Sequence, residues 1–353
     1  MEKIIVQSGF EAVLIRDFLR LPGKLYPKGS CPQDRKVEQQ ILTGKHALSS
    51  EITVMPFVVY KYEDNKGRVT ARSLVTFYEN DRKAYVGFFE SLNDVEACRR
   101  LFFEISVYAK KHGRDVLAGP VDASFWIRYR FKLFSDRDFQ DTYSGEPYNL
   151  PYYAGLWKDC GFGEICRYES NWYRRVQKED FSPKLHKRLE QMHQSGYRIR
   201  ESSFWEFDND LVEIYRLLTQ TYCRFPFYKE ISLQQFRKLF GYLKYCLDYH
   251  MVKLVCLDGR VVGFMIGIPN YGKNSMGRMT LRKLIRILAY RNRPKEYVLL
   301  YMAVDKAHPG LGSALAEEIR NTLYRSGCTS IGALIHKGKV TGGYYKNLMQ
   351  GRT

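Results

Sequence analysis

A chain of 353 residues with 45% hydrophobic side chains is long enough for two packed domains, or three by size alone. Its formal net charge of +18 favours acidic partners (nucleic acid, an anionic membrane surface, an acidic carrier protein or a polyanionic ligand) and selects none of them. The eight cysteines, at 31, 98, 160, 166, 223, 246, 256 and 328, exclude a zinc module and a disulfide framework, having no CxxC pair and no His/Cys cluster at zinc spacing.

They read as reduced thiols of a cytoplasmic protein, and no metal is expected. The first twenty residues carry charges throughout and lack a signal-peptide layout. No stretch approaches the ~20 apolar residues of a membrane span, so no transmembrane segment is expected.

In chain order, the first half opens with a predicted strand over 4–7 and a helix over 10–19. Pro22, Gly23, Pro27, Gly29 and Pro32 then mark a turn-rich stretch. Strands are predicted over 54–62, 69–77 and 84–89, the first two joined by the polar turn Glu63-Asp64-Asn65-Lys66-Gly67. A helix over 94–111 places Leu101, Ile105 and Tyr108 on one face, with Asn93 or Asp94 as its cap. A short strand over 115–118 ends at Gly119-Pro120.

The polar stretch 178–185, with Pro183, reads as a linker and divides the chain into domains 1–177 and 186–353. Beyond it come a strand over 197–201, a helix over 211–222 and helical material over 233–247. Strands over 251–257 and 261–269 flank Asp258-Gly259, the strongest hairpin signal in the chain. After an insertion follow a strand over 297–304, a short turn, an alanine- and glutamate-rich helix over 313–324 and a strand over 330–336. Both halves thus read as strand, helices, hairpin, strand, helix, strand, a duplication of architecture and not of sequence. Gly310 and Gly312 at the mouth of the second-half helix leave N–H groups unshielded by side chains. With the positive end of the helix dipole, those donors form a site for phosphate; a plain strand-to-helix turn is the alternative reading.

This order, with a glycine turn between the fourth strand and the next helix, resembles the GNAT N-acetyltransferase superfamily. In the second half the resemblance is carried by the Asp258-Gly259 hairpin, Tyr301-Met302-Ala303-Val304 and Gly310-Leu311-Gly312-Ser313-Ala314-Leu315. The first half resembles a bacterial group of GNAT-like proteins through 87–101 (GFFESLNDVEACRRL), Ala118-Gly119-Pro120 and 147–162 (PYNLPYYAGLWKDCGF). The fold class it implies is α/β (α+β): two tandem GNAT-like domains, each a mixed, mostly antiparallel sheet flanked by helices. It also implies an acyl donor, acetyl-CoA or another acyl-CoA, whose pyrophosphate lies on an Arg/Gln-x-x-Gly-x-Gly/Ala loop. The glycines match at 310 and 312, whereas Ala307 stands in place of the Arg or Gln, leaving His308 or Lys306 to supply charge. The donor site expected on this basis comprises Met302, Ala303, Val304, Ala307, His308, Gly310, Leu311, Gly312, Ser313 and Ala314. In the first half, Asp94 near the helix start satisfies the dipole and would repel pyrophosphate, so one donor site is expected.

Acyl transfer places negative charge on the thioester carbonyl oxygen, which a backbone N–H of a splayed strand stabilises. The resemblance assigns this to the strand near Met302 to Val304. The leaving thiolate needs a proton donor, and a tyrosine (pKa near ~10) suits a thiol (near ~8.5). Tyr344 and Tyr345 follow the last strand, where the family often has such a tyrosine; alternatively one of them only packs a helix expected over 343–349. For deprotonating the amine, His336 is the better base by pKa, and Glu296 lies on the strand nearest the reaction. No serine or cysteine has a recognisable catalytic partner, so transfer is expected to be direct.

The insertion 273–295 holds eight Lys or Arg and no acid. Its helical part sets Leu281, Leu284, Ile285 and Leu288 along one face, and Arg278, Arg282, Arg286 and Arg293 on the other. Such a helix, between Lys273 and Lys295, would hold an acyl-carrier protein, a tRNA or an anionic lipid surface; alternatively it is a lid with its apolar face on the sheet. Trp126 opens an aromatic–basic run, and with Tyr148, Tyr152 and Tyr153 it is expected to line the substrate cleft. The expected function is an N-acyltransferase moving an acyl group from acyl-CoA to an amine by direct attack. Two readings stand beside it: the same fold with acyl-carrier protein or aminoacyl-tRNA as donor, and a degenerate, non-catalytic binding protein.

Overall fold

The computed structural model describes residues 3–27, 30–64, 66–134, 142–277, 279–337 and 343–352, so Arg278 of the expected basic face lies outside the described residues. Among the described residues the strands form two sheets. The first runs β1 (Lys3–Ser8), β2 (Ile52–Glu63), β3 (Lys66–Tyr78), β4 (Lys83–Ser91) and β5 (Val116–Ala118) in spatial order. All its pairs are antiparallel except β4 with β5. Along β2 and β3, alternate side chains face opposite layers. Helices α1 (Ala12–Arg20), α2 (Pro22–Leu25) and α3 (Arg35–Leu42) precede β2 in the chain. Phe18 of α1 and Ile41 of α3 pack with Val58 and Leu74 on one face. Helix α4 (Val95–Lys111) covers the other, where Leu101 and Ile105 meet Val59, Val75 and Val86. Helix α5 (Tyr153–Asp159) adds Tyr153 and Trp157 to that core.

The second sheet contains β6 (Tyr168–Tyr173), β7 (Arg198–Glu201), β8 (Val252–Leu257), β9 (Arg260–Pro269), β10 (Glu296–Val304), β11 (Thr329–His336) and β12 (Met349–Arg352). Their spatial order is β12-β6-β11-β10-β9-β8-β7, with β10 and β11 parallel and the other pairs antiparallel. The β8–β9 turn has φ of 50° at Asp258 and 76° at Gly259, the positive pair that a two-residue type I′ hairpin demands. Helices α6 (Pro183–Gln194) and α10 (Leu311–Ser326) cover one face through Leu189, Met192, Leu315 and Ile319. Helices α7 (Phe207–Tyr222) and α8 (Leu233–Phe240) cover the other through Leu211, Leu217 and Phe236. Helix α9 (Leu281–Arg291) lies in the insertion before β10. Each such buried aliphatic or aromatic side chain contributes about 1.5–3 kcal/mol.

Three local expectations change. Strand β6 precedes the boundary at 177, yet it pairs with β11 and β12, so the second sheet takes its strands from residue 168 onward. The expected linker 178–185 holds a 3-10 turn (Lys178–Asp180) and the start of α6. Pro183 is compatible with a first helical turn, and the polar residues after it form the wet face of a helix whose Leu189 and Met192 are buried. The helix expected over 343–349 is a 3-10 turn (Lys346–Leu348) leading into β12.

The halves are tied by specific contacts. Trp126 lies in the second-half core and donates from Nε1 to Lys229 O at 2.6 Å. Lys229 Nζ pairs with Asp81, in the turn before β4. The amide of Ser144 donates to Asn270 Oδ1 at 3.0 Å.

Candidate functional site

The site is built by two strands parting company. β10 and β11 pair in parallel from Glu296↔Thr329 to Leu299↔Gly332. Then β10 shifts register between Leu299 and Tyr301 and follows β9 to Val304↔Gly263. β11 shifts between Gly332 and Ile335 and follows β6 to His336↔Tyr168. Each strand keeps its outer neighbour, and a wedge opens between them. The Asp305 amide donates back toward β9, to Val262 O at 2.9 Å. By strand alternation the Ala303 amide points the same way, and those of Met302 and Val304 face the wedge. The Tyr222 hydroxyl lies by the Met302 amide, and burial pushes its pKa up.

A cavity of about 820 Å³ occupies the wedge and reaches the first half of the chain. Its walls include Leu300, Tyr301, Met302, His336 and Tyr344 from the second half, with Trp126, Arg130 and Tyr148 from the first. Arg130 has φ of +79°, a left-handed conformation that costs a non-glycine residue roughly 1–3 kcal/mol. Its guanidinium rests 4.1 Å from the ring centre of Tyr129 and 4.3 Å from that of Tyr168. Among the described residues no carboxylate pairs with it, so the cavity carries a cation held by aromatic rings.

At the end of β10 the glycine turn starts α10. Gly310 has φ of +94°, and α10 has no side-chain cap. Two upstream amides are engaged within the turn: Ala307 N donates to Asp305 Oδ1 and His308 N to Asp305 O, both at 3.0 Å. His308 Nδ1 shares a 2.8 Å hydrogen bond with the Tyr197 hydroxyl. Ser313 Oγ donates to Gly310 O at 2.8 Å, while Leu311 and Ala314 are buried in the core. Two side chains reach over the glycines. A Cβ on Gly310 would stand 2.6 Å from Arg188 Nη2, and one on Gly312 would stand 2.5 Å from the Tyr344 hydroxyl and 3.0 Å from Met302 Cε. Arg188 comes from α6, and no hydrogen-bond or carboxylate partner engages it among the described residues. A guanidinium carried by another helix therefore stands over the glycine turn, whose own position 307 is an alanine. Sequence spacing carries no signal for Arg188, which falls just after the stretch read as a linker.

The two adjacent tyrosines separate. Tyr345 also borders the cavity, but it is buried, its hydroxyl donates to Ala316 O at 2.6 Å and its ring packs on Tyr173, so the hydroxyl is engaged in the core. Tyr344 faces the cavity at Gly312, its backbone carbonyl held by Arg320 Nη2 at 3.0 Å. Burial raises the Tyr344 pKa, with Arg188 pulling the other way, and the hydroxyl stays protonated at neutral pH. His336 lies on the cavity wall, its ring edge-on to Tyr168 at 5.3 Å. Glu296 stands at the start of β10, with the glycine turn beyond the strand's other end, and accepts from Asn270 Nδ2 at 2.6 Å and Thr329 Oγ1 at 3.0 Å. It is a structural anchor of the strand, since both carboxylate oxygens are engaged far from the wedge.

Of the four expected cleft residues, Trp126 and Tyr148 line the cavity. Tyr152 and Tyr153 do not: their hydroxyls donate to Ser91 O at 2.9 Å and Glu90 Oε2 at 2.7 Å, within the first-half core. Their sequence neighbourhood looked like cleft because aromatic residues fill cores and line pockets alike.

The first sheet has a wedge of its own. β4 and β5 pair only from Lys83↔Val116 to Tyr85↔Ala118. Beyond that, the chain turns back into the gap: Val121 N donates to Val86 O at 2.9 Å, and the Phe88 amide donates to the Asp122 carboxylate. Arg128 Nε in turn donates to Asp122 at 2.6 Å. At the N-terminus of α4, Asp94 accepts from Ala97 N at 3.0 Å and pairs with Lys61.

No family model matches the chain. Protein YghO of Escherichia coli (strain K12) is 22% identical over 262 residues, covering 72% of this chain and 66% of that protein, so the match spans just under two thirds of the relative's length. A tandem GNAT protein from the clavulanic acid biosynthesis pathway aligns with 94% of this chain and 89% of its own, at 12% identity and a TM-score of 0.45. A GCN5-related glucosamine N-acetyltransferase region of a fungal multi-domain GH3 β-N-acetylglucosaminidase aligns with 100% of this chain and 37% of its own, at 12% identity and a TM-score of 0.49. The L-PGS of Bacillus licheniformis aligns with 88% of this chain and 78% of its own, at 14% identity and a TM-score of 0.35. The fold is two mixed sheets with flanking helices in tandem.

Proposed function

We propose that this chain is an N-acyltransferase that passes an acyl group from acyl-CoA directly to an amine. The observation that carries the reading is the open wedge between β10 and β11, with a glycine-started helix and a guanidinium at its mouth. Bound acyl-CoA would supply a thioester carbonyl activated for attack. The residues present fit its diphosphate: Gly312 leaves the start of α10 without a side chain, and Arg188 lies over Gly310 without a carboxylate partner. His308 is engaged by Tyr197, which leaves Arg188 as the better-placed cation.

By strand alternation the Val304 amide faces the wedge, where a developing oxyanion would accept from it; such a donor is worth about 3–4 kcal/mol, and the Met302 amide, now engaged by the Tyr222 hydroxyl, would join it only if that hydroxyl gave way. Tyr344, held protonated beside Gly312, would give its proton to the departing thiolate. His336, on the cavity wall, is the base candidate for the attacking amine. Arg130 gives the acceptor side of the cavity a positive charge, which suits an amine that also carries an anionic group. Its ring-supported guanidinium would orient that group.

The test is thermal stability with and without acetyl-CoA. A rise in Tm, lost when Gly312 is replaced by Val, is the expected result. If neither acetyl-CoA nor longer acyl-CoA esters move the Tm, the transferase reading fails.

A further inference from the structure

Helix α9 carries an apolar stripe that the fold leaves uncovered. Leu281 and Ile285 are 74% and 59% exposed, and Leu288, next along the same face, is exposed as well. The helix is nevertheless anchored. Thr280 caps it by accepting from Lys283 N at 3.3 Å, Ile287 is buried on the other side, and Arg291 Nη1 donates to Tyr245 O at 3.1 Å. The lid expected from sequence thus presents its apolar stripe to water and not to the sheet. At 3.6 residues per turn, Arg282 and Arg286 fall together on one flank of the stripe; both are exposed, as is Arg293 just beyond the helix end. Across the Arg291–Tyr245 hydrogen bond lies a second exposed group: the Tyr245 ring is 6.0 Å from that of Phe204, which packs edge-on to Trp205, itself 86% exposed.

We propose that this face docks the protein on an anionic membrane surface, with the stripe among the upper acyl chains and the arginines at the lipid phosphates. Charge and shape choose the occupant. A convex helix with Leu, Ile and Leu at its crest offers nucleic acid nothing to bury them against. The flanking arginines, with no acid anywhere in 273–295, match an anionic headgroup layer that adapts to the helix. Exposed Trp205 suits the same interfacial layer. Among the described residues no helix is long and apolar enough to cross a membrane. Met276, shortly before α9, lines the cavity, which sets this surface beside the candidate site along the chain. The inference is independent of the transferase reading.

The test is co-sedimentation with phosphatidylcholine vesicles, with and without phosphatidylglycerol. The protein is expected to pellet with the anionic vesicles only, and less as salt rises. Leu281→Glu with Ile285→Glu should lower vesicle affinity roughly tenfold or more. Arg282→Gln with Arg286→Gln should flatten the salt dependence. All four side chains are exposed, so thermal melts of these variants should match the parent. Parent protein that stays in the supernatant, or pellets equally with neutral vesicles, overturns the proposal. So does a Glu variant that pellets as the parent does. Self-association abolished by the same Glu pair, without vesicle binding, would assign the stripe to a second copy instead.

Discussion

Both sheets part at the same place, and what enters the gap differs. In the first, the segment after β5 folds back between the strands, and Asp122 takes the Phe88 amide. Gly87 is glycine there because a Cβ would lie 1.8 Å from Val121 O. In the second, the gap is a cavity of about 820 Å³ walled by Leu300, Tyr301 and Met302 of one strand and Leu334 and His336 of the other. The tight glycine at that site, Gly312, borders only a tyrosine hydroxyl and a methionine methyl, the ends of flexible side chains. A splayed strand pair is therefore a scaffold feature, and it becomes a candidate site only where the gap stays open as a cavity. The first half keeps the geometry and satisfies it with its own carboxylate.

Substitutions at the two glycines separate the wedges most sharply. Gly87→Ala should cost about 3 kcal/mol or more in a denaturant melt, because backbone must move. Gly312→Ala should leave stability within about 1 kcal/mol and weaken acetyl-CoA binding instead. Equal stability losses at both positions would remove the distinction. The adjacent tyrosines come next. Tyr344→Phe is expected to lower kcat about 100-fold with KM for acetyl-CoA nearly unchanged. Tyr345→Phe should leave kcat intact and cost about 1–2 kcal/mol of stability, the effect of losing one buried hydrogen bond. Since burial raises the Tyr344 pKa, loss of activity from its ionisation should begin only above the ordinary tyrosine range, near pH ~10 or higher.

Arg188→Ala should raise the Kd for acetyl-CoA about tenfold, with partial recovery in Arg188→Lys. A tighter Kd would instead make the guanidinium a plug, and the second wedge a closed one like the first. The smallest effect concerns the tie between halves. Desolvation raises the Asp81 pKa, but hydrogen bonds from Lys229, Tyr85 and the Lys83 amide outweigh it and bring it down to about 2. With the folded pKa below the unfolded one, the stabilisation is present above the ordinary carboxylate range and disappears as pH falls through about 2. Asp81→Asn should accordingly cost about 1 kcal/mol at neutral pH in urea melts, with parent and variant converging in strong acid.

Much of this architecture is legible locally. Asp258-Gly259 encodes a hairpin because both positions need positive φ, and the structure has 50° and 76° there. The spacing of Leu101 and Ile105 marks the buried side of α4, and Asp94 marks its start. Gly310 announces a left-handed residue at the start of α10. These signals are short-range consequences of backbone sterics and of side-chain periodicity, so the residues themselves carried them. What only the tertiary structure decided involves partners far apart in the chain: β6 joining the second sheet, Arg188 lying over Gly310, the Tyr344 hydroxyl at Gly312 and that of Tyr345 bonded to Ala316, Tyr152 and Tyr153 engaged at Ser91 and Glu90, and one wedge filled while the other holds a cavity. An aromatic or a guanidinium has the same local preferences in either setting. Which polar group it finds depends on packing across the whole fold.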